Sequence, residues 1–172
     1  MISGKLIDLR SVTMEDSEQI IRWRNSELVK SHFILQSDLT MDSQRVWMEQ
    51  VIANGKAVQF LILEKSGTGV GTVYLRDIDR THRKAEYGIF IGESQALGKG
   101  YGTEAARLMT EFGFSELHLH KIYLQVFAEN ERAIKSYRKA GFSEEAVLRD
   151  EVFVRGAFHD MVRMAVFEEN RN

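Results

Sequence analysis

The spacing of apolar residues divides the chain into stretches of different period. Near the start it is helical: Ile20, Ile21 and Trp23 lie among charges over residues 14–25, and Val46, Trp47, Val51 and Ile52 recur over residues 42–53. Thr13 followed by Asp16 has the spacing of a helix start. A strand at residues 5–12 precedes these helices, and residues 31–40 between them read as a mixed loop suited to contacting a substrate. From residue 58 the period becomes that of strands, predicting 58–64, 69–78 and 84–92, with turns at Lys65-Ser66-Gly67 and Asp79-Arg80-Thr81. Ala105, Leu108, Met109 and Phe112 then mark one face of an amphipathic helix. Residues 121–127 alternate Ile122, Leu124 and Val126 against Tyr123, Gln125 and Phe127, as a strand does. A short helix over 130–139 stops at Ala140-Gly141, and residues 142–167 form a hairpin turning at Arg155-Gly156. The predicted order is β-α-α-β-β-β-α-β-α-β-β: an α/β (α+β) mixed sheet with helices packed on it.

Composition narrows the class. A length of 172 residues fits one domain, 1–172, and 44% hydrophobic with 28% charged residues is ordinary for a globular protein. Apolar runs are broken by charge before a membrane span is reached, and no secretory signal is apparent. Lys+Arg of 23 against Asp+Glu of 25 gives 23 − 25 = −2, without the basic excess of a nucleic-acid binder. With no cysteine, disulfides, thiolate nucleophiles and cysteine zinc sites are excluded, and the expected location is the cytoplasm. No His/Asp/Glu set has metal-ligand spacing, so no metal is expected.

The chemistry concentrates in Gln95-Ala96-Leu97-Gly98-Lys99-Gly100-Tyr101-Gly102-Thr103, between a strand and a helix. Glycines there permit positive φ and close backbone approach to a ligand. The free N–H groups at the helix start, with the positive end of its dipole, suit a phosphate; Lys99 adds a charge and Thr103 a hydroxyl. A bare strand-to-helix turn uses the same glycines. The spacing is neither that of a P-loop nor that of a dinucleotide fingerprint.

Gln95-x-x-Gly98-x-Gly100 resembles the coenzyme A pyrophosphate loop of GNAT acetyltransferases. Asn130-Glu131-Arg132-Ala133-Ile134, followed by Tyr137-Arg138-Lys139-Ala140-Gly141-Phe142, is similar to that family's second block. The resemblance covers residues 85–167 closely and the front half loosely. It implies an N-acetyltransferase with acetyl-CoA as co-substrate. Gln95, Gly98, Lys99, Gly100, Tyr101, Gly102 and Thr103 would hold the pyrophosphate, and Asn130 and Ala133 the pantetheine arm. Phe90, Ile91 and Gly92 would offer backbone groups to the pantetheine amides and one N–H to the oxyanion. By the same resemblance Tyr137 protonates the departing sulfur, and Glu86 is the base acting through water. Tyr137 packed in the core, and Glu86 paired with Arg83 or Lys84, are the structural alternatives.

For the acceptor, an amine with a lysine-like pKa near 10.4 costs roughly 4.6 kcal/mol to deprotonate at pH 7, and an α-amine near 8 only about 1.4 kcal/mol. With His82-Arg83-Lys84-Ala85-Glu86-Tyr87 and the hairpin at 153–163, the chain from residue 78 onward resembles spermidine N-acetyltransferases, yet the loop at 31–38 carries a single carboxylate, Asp38. The segment Ile21-Arg22-Trp23-Arg24-Asn25-Ser26 is more similar to enzymes that acetylate nucleotide-linked amino sugars. Trp23, Arg24 and, in the following loop, Phe33 are therefore the candidate substrate contacts. A helix end with its tryptophan in the core and its arginines solvated is the plainer alternative. Acetylation of a ribosomal protein N-terminus is a third reading, and a coenzyme A-binding module without turnover a fourth, which Tyr137 beside an intact glycine loop argues against. The resemblance is also compatible with a homodimer.

Overall fold

The computed structural model describes residues 1–170. Within them one sheet contains β1 (Ile2–Ser3), β2 (Ile7–Ser11), β3 (Val58–Glu64), β4 (Gly69–Asp79), β5 (Lys84–Ile91), β6 (Lys121–Phe127), β7 (Ser143–Val154) and β8 (Ala157–Phe167). The helices are α1 (Ser17–Asn25), α2 (Glu27–Lys30), α3 (Met41–Val46), α4 (Tyr101–Ser115) and α5 (Glu131–Lys139). The strand order is β1-β2-β3-β4-β5-β6-β8-β7. Every neighbouring pair is antiparallel except β5 and β6, which are parallel and need α4 as their crossover.

The mixed α/β architecture is as the apolar pattern predicts, with two additional elements. Glu104 on α4 accepts the N–H groups of Lys5, Leu6 and Ile7 at 2.8, 2.7 and 2.9 Å, which bends the chain. Ile2 and Ser3 then fold back on Leu9 and Asp8 as β1. Between α1 and the loop, Ser26 adopts an extended conformation and its Oγ donates to Trp23 O at 2.6 Å, ending α1 and opening the single turn α2. The helix expected at 42–53 is α3 continued by a π turn, Trp47–Ile52.

Two apolar layers flank the sheet. Ile7, Ile62, Val73, Leu75, Ala85, Met109, Ile122 and Leu124 form the larger core, on the side of α4 and α5. Ile20, Trp23, Val29, Leu61 and Phe90 form the other, beneath α1 and α2. Ala105 and Ala106 are buried, and a Cβ on Gly113 would come within 2.6 Å of Ile122 Cδ1, so small residues set how near α4 lies to the strands.

The parallel pair is short. β5 and β6 match only at Lys84↔Lys121, Ala85↔Ile122 and Glu86↔Tyr123. Yet β4 follows β5 as far as Ile91, and β8 follows β6 as far as Phe127. Each strand stays with its outer neighbour while the two diverge, leaving a fork in the sheet.

Gly71 keeps β4 against the outer wall of this fork: a Cβ there would lie 2.2 Å from Phe90 O and 2.9 Å from Ile91 Cα. Both contacts are backbone, which cannot rotate away. Gly71→Ala is expected to cost about 2–4 kcal/mol, measured by urea unfolding. An unchanged midpoint would mean that β5 is not fixed at this spacing.

Candidate active site

The fork opens into a cleft of about 1280 Å³. His32, Phe33 and Gln36 line one end, β5 runs along it, and Gly98–Thr103 with the first turns of α5 line the other. Strand alternation decides which backbone groups face it. Arg83 O accepts from His120 and Lys121 N–H groups on the β6 side, whereas Gly92 N–H donates to Val70 O at 2.8 Å on the β4 side. Odd residues of β5 therefore address β6. Past Glu86 the ladder to β6 has ended, so the backbone groups of Ile89 and Ile91 face the open fork.

At the far end Gly98 and Gly100 have φ of +76° and +85°, a conformation open to glycine at little cost. Gly100 caps α4, and Glu104 N–H is the first to reach a helical acceptor, Gly100 O. The preceding N–H groups, at the positive end of the helix dipole, form an anion cradle. The Arg132 guanidinium lies 4.0 Å from where a Cβ on Gly98 would be. Lys99 and Tyr101 turn their polar ends to Glu64, at 3.3 and 3.0 Å. Thr103 Oγ1 is 2.8 Å from Ser136 Oγ and ties α4 to α5. Asn130 caps α5 by accepting Ala133 N–H through Oδ1 at 3.2 Å, which leaves its amide N–H groups for the cleft.

At the root of the fork three aromatic rings meet. Tyr87, the first β5 residue past the ladder, stands edge-on to Tyr137 at 6.0 Å; Phe142 lies 5.7 Å from Tyr87 and 6.0 Å from Tyr137. Burial, with a smaller contribution from Tyr74, pushes the Tyr137 hydroxyl above the ordinary tyrosine pKa. It therefore keeps its proton throughout the neutral range. Tyr87 is 3% exposed, and burial followed by the neighbouring Tyr137 raises its hydroxyl strongly. On the opposite face of β5, Glu86 is held by Arg76 from β4, at 2.9 Å to Oε1 and 3.3 Å to Oε2.

Of the residues singled out from sequence, Tyr137, Glu86, Phe90, Ile91, Gly98, Gly100, Tyr101, Gly102, Thr103, Asn130, Ala133 and Phe33 line the cleft. Gly92, Gln95, Lys99, Trp23 and Arg24 do not line it. Trp23 is 2% exposed, packs on Phe90 and donates through Nε1 to Glu93 at 2.7 Å. Arg24 is 7% exposed, stacks 3.8 Å behind the Phe33 ring and donates to Leu35 O at 2.7 Å, bracing the loop. Gln95 is exposed and bonds Glu93. Sequence reading passed over Ile89, Tyr87, Tyr74 and Arg132. The parity of Ile89 follows from where the ladder ends, which no local pattern encodes. A tyrosine inside a strand reads as core until its neighbour across the strands is known.

A fork in a mixed sheet, bounded by a glycine loop at a helix start, defines an acyl-coenzyme A transferase fold. The family model for the GNAT acetyltransferase domain matches residues 7–143, and the chain belongs to this family. It is similar to the spermidine N(1)-acetyltransferase of Escherichia coli strain K12, 43% identical over 107 residues. That stretch is 62% of this chain and 57% of the length of that enzyme. The spermidine N(1)-acetyltransferase of Vibrio cholerae is 28% identical over 94% of this chain and 93% of its own. The crystal structure of the Vibrio cholerae spermidine N-acetyltransferase with CoA and spermine superimposes with a TM-score of 0.90 at 28% identity, covering 97% of this chain and 98% of that one. Among the described residues of the present chain, no three His, Cys, Asp or Glu side chains gather as a metal site, and no helix is long and apolar enough to cross a membrane.

Gly100→Asp forces a side chain onto a residue with φ of +85° and sets a negative charge at the anion cradle. Calorimetry is expected to show at least about a hundredfold loss of coenzyme A affinity, corresponding to roughly 2.7 kcal/mol. Retained affinity would remove the loop from the binding site.

Proposed function

We propose that this chain is an N-acetyltransferase that moves the acetyl group of acetyl-CoA onto a primary amine of a small molecule, within the fork between β5 and β6. The observation that carries the reading is the fork itself: unpaired backbone along one wall, a buried tyrosine hydroxyl at its root, and an anion cradle at its end. The pyrophosphate lies on Gly98–Thr103 with Arg132 beside it. The pantetheine arm passes along β5 as an added strand, bonding Ile89, Ile91 and the Asn130 amide. Gln95 and Lys99 border the loop from outside.

The amine nitrogen attacks the thioester carbonyl and forms the C–N bond. The resulting oxyanion is stabilised by an N–H of β5, Ile89 or Ile91, held in place before reaction. As the C–S bond breaks, Tyr137 gives its proton to the sulfur. Glu86 accepts the proton lost by the amine through water, with Arg76 fixing its carboxylate. Trp23 and Arg24 act from behind by fixing Phe90 and Phe33, which border the acceptor.

Two acceptor classes are in view. A polyamine is favoured by the named substrates of the spermidine acetyltransferases that this chain resembles over most of its length. A nucleotide-linked amino sugar is favoured by the loop at 31–38, where Asp38 is the only carboxylate and is paired with Lys30 at 2.6 Å. We place the enzyme in the cytoplasm beside its donor. Self-association into at least a homodimer is favoured by the sheet edge: β7 is mostly exposed, and Val147, Phe153 and Phe158 are more than half accessible.

Tyr137→Phe is expected to lower kcat about a hundredfold or more while leaving acetyl-CoA affinity within about threefold. Because the donor acts while protonated and its pKa is raised, loss of activity from its ionisation falls above the usual tyrosine value of about 10. A pH profile whose alkaline limb falls below pH 10 in wild type and vanishes in the variant would contradict the raised pKa.

A further inference from the structure

We infer that Tyr74 is the floor of the acceptor subsite, and that it is built for a ring bearing one exocyclic primary amine with a single positive charge. This inference rests on the acetyl-transfer reading and narrows its acceptor. Tyr74 stands on β4 directly opposite Gly88 of β5. A Cβ on Gly88 would meet Tyr74 Cζ at 2.2 Å, Oη at 2.3 Å and Cε2 at 2.4 Å. The ring therefore lies across the backbone of β5, between Glu86 and Phe90, on the face opposite Tyr87. Only glycine at 88 leaves room for it.

The ring is braced from behind. Trp47 meets it edge-on at 6.4 Å, and Trp47 Nε1 donates to Gln59 Oε1 at 2.8 Å. Gln59 Nε2 donates in turn to Thr72 Oγ1 at 3.1 Å, and both Gln59 and Thr72 are buried. Burial costs a polar group its water, so a chain of satisfied hydrogen bonds in the core fixes what it touches. What it fixes is an aromatic ring in the wall of the cleft. Among the described residues no group hydrogen-bonds the Tyr74 hydroxyl, which is left to a ligand.

Charge defines the other half of the subsite. At this end of the cleft the lining carboxylate is Glu86, already engaged by Arg76 at 2.9 Å. His32 lies on the wall, and the guanidinium of Arg24 is buried behind Phe33 with Nη1 unpartnered. The further ammonium groups of a linear polyamine would meet the field of Arg24, which forms no ion pair with a carboxylate among the described residues, and a Glu86 carboxylate already neutralised by Arg76. A ring carrying one amine gains a stacking surface and a hydrogen bond from Tyr74 and meets no such repulsion.

The test is coenzyme A release from acetyl-CoA by the full chain. Its acceptors are glucosamine, glucosamine bearing a nucleotide diphosphate on its anomeric carbon, and spermidine. At least one of the two ring-borne amines is expected to exceed spermidine in kcat/KM by about tenfold or more. Tyr74→Leu should lower kcat/KM for that amine about tenfold, mainly through KM, and by a smaller factor for spermidine, while acetyl-CoA affinity stays within about twofold. Tyr74→Phe, which keeps the ring, should fall between Tyr74→Leu and wild type, and equal melting temperatures would show that the variants are folded. Spermidine as the better acceptor, or a Tyr74→Leu loss of equal size for every acceptor, would overturn the inference and leave acetyl transfer standing. Bound acetyl-CoA with no release for any amine would overturn both.

Discussion

The structure depends on the early end of one hydrogen-bond ladder. β5 and β6 pair over three residue positions, while each keeps its outer partner to its end. Backbone N–H and C=O groups buried without partners are costly, so a sheet that opens in this way must satisfy them with something else. The geometry suits an extended amide-bearing chain, which would add to β5 as a strand does. The aromatic group of Tyr87, Tyr137 and Phe142 sits where the ladder stops, filling the root of the fork with apolar surface. The same packing buries the hydroxyl that is proposed to protonate the leaving sulfur, so wedge and acid are one feature.

The two faces of β5 divide the work. Odd residues turn their side chains toward α4 and α5, the side of the glycine loop and Asn130. Even residues point toward α1 and the loop that follows it, where Glu86, Gly88 and Phe90 meet Arg76, Tyr74 and Phe33. In the proposed reaction, donor and acceptor would thus approach one strand from opposite sides. Arg155 at the tip of the β7–β8 hairpin reaches Glu27 at 2.7 Å and Gln36 at 2.9 Å, joining the acceptor loop to the far edge of the sheet.

Much of this was legible in the chain itself. Strands β3 to β6, helix α4 and the hairpin turn at Arg155-Gly156 follow from local period and turn chemistry; φ of +52° and +81° at that turn is what a two-residue hairpin demands. The loop at 98–102 and the face Asn130, Ala133, Tyr137 were likewise visible, because glycine spacing and helical spacing are local. Trp23 read either as a substrate contact or as core, and it is core; Arg24 read either as a substrate contact or as solvated, and it is neither. Their burial comes from partners far along the chain, Glu93 for Trp23, and from the loop that folds back over Arg24. β1 depends on Glu104, some hundred residues away. Tyr74 and Gly88 have meaning only as a pair across strands, and register is not written in either segment alone.

The most direct test of the central claim is amide hydrogen exchange, resolved by residue along β5, with and without acetyl-CoA. If the fork receives the pantetheine arm as an added strand, Ile89 and Ile91 amides exchange freely without ligand and become protected when it binds. Gly92, already bonded to Val70, changes little. Protection at Ile89 and Ile91 before any ligand is added, or none after saturation, would contradict the account.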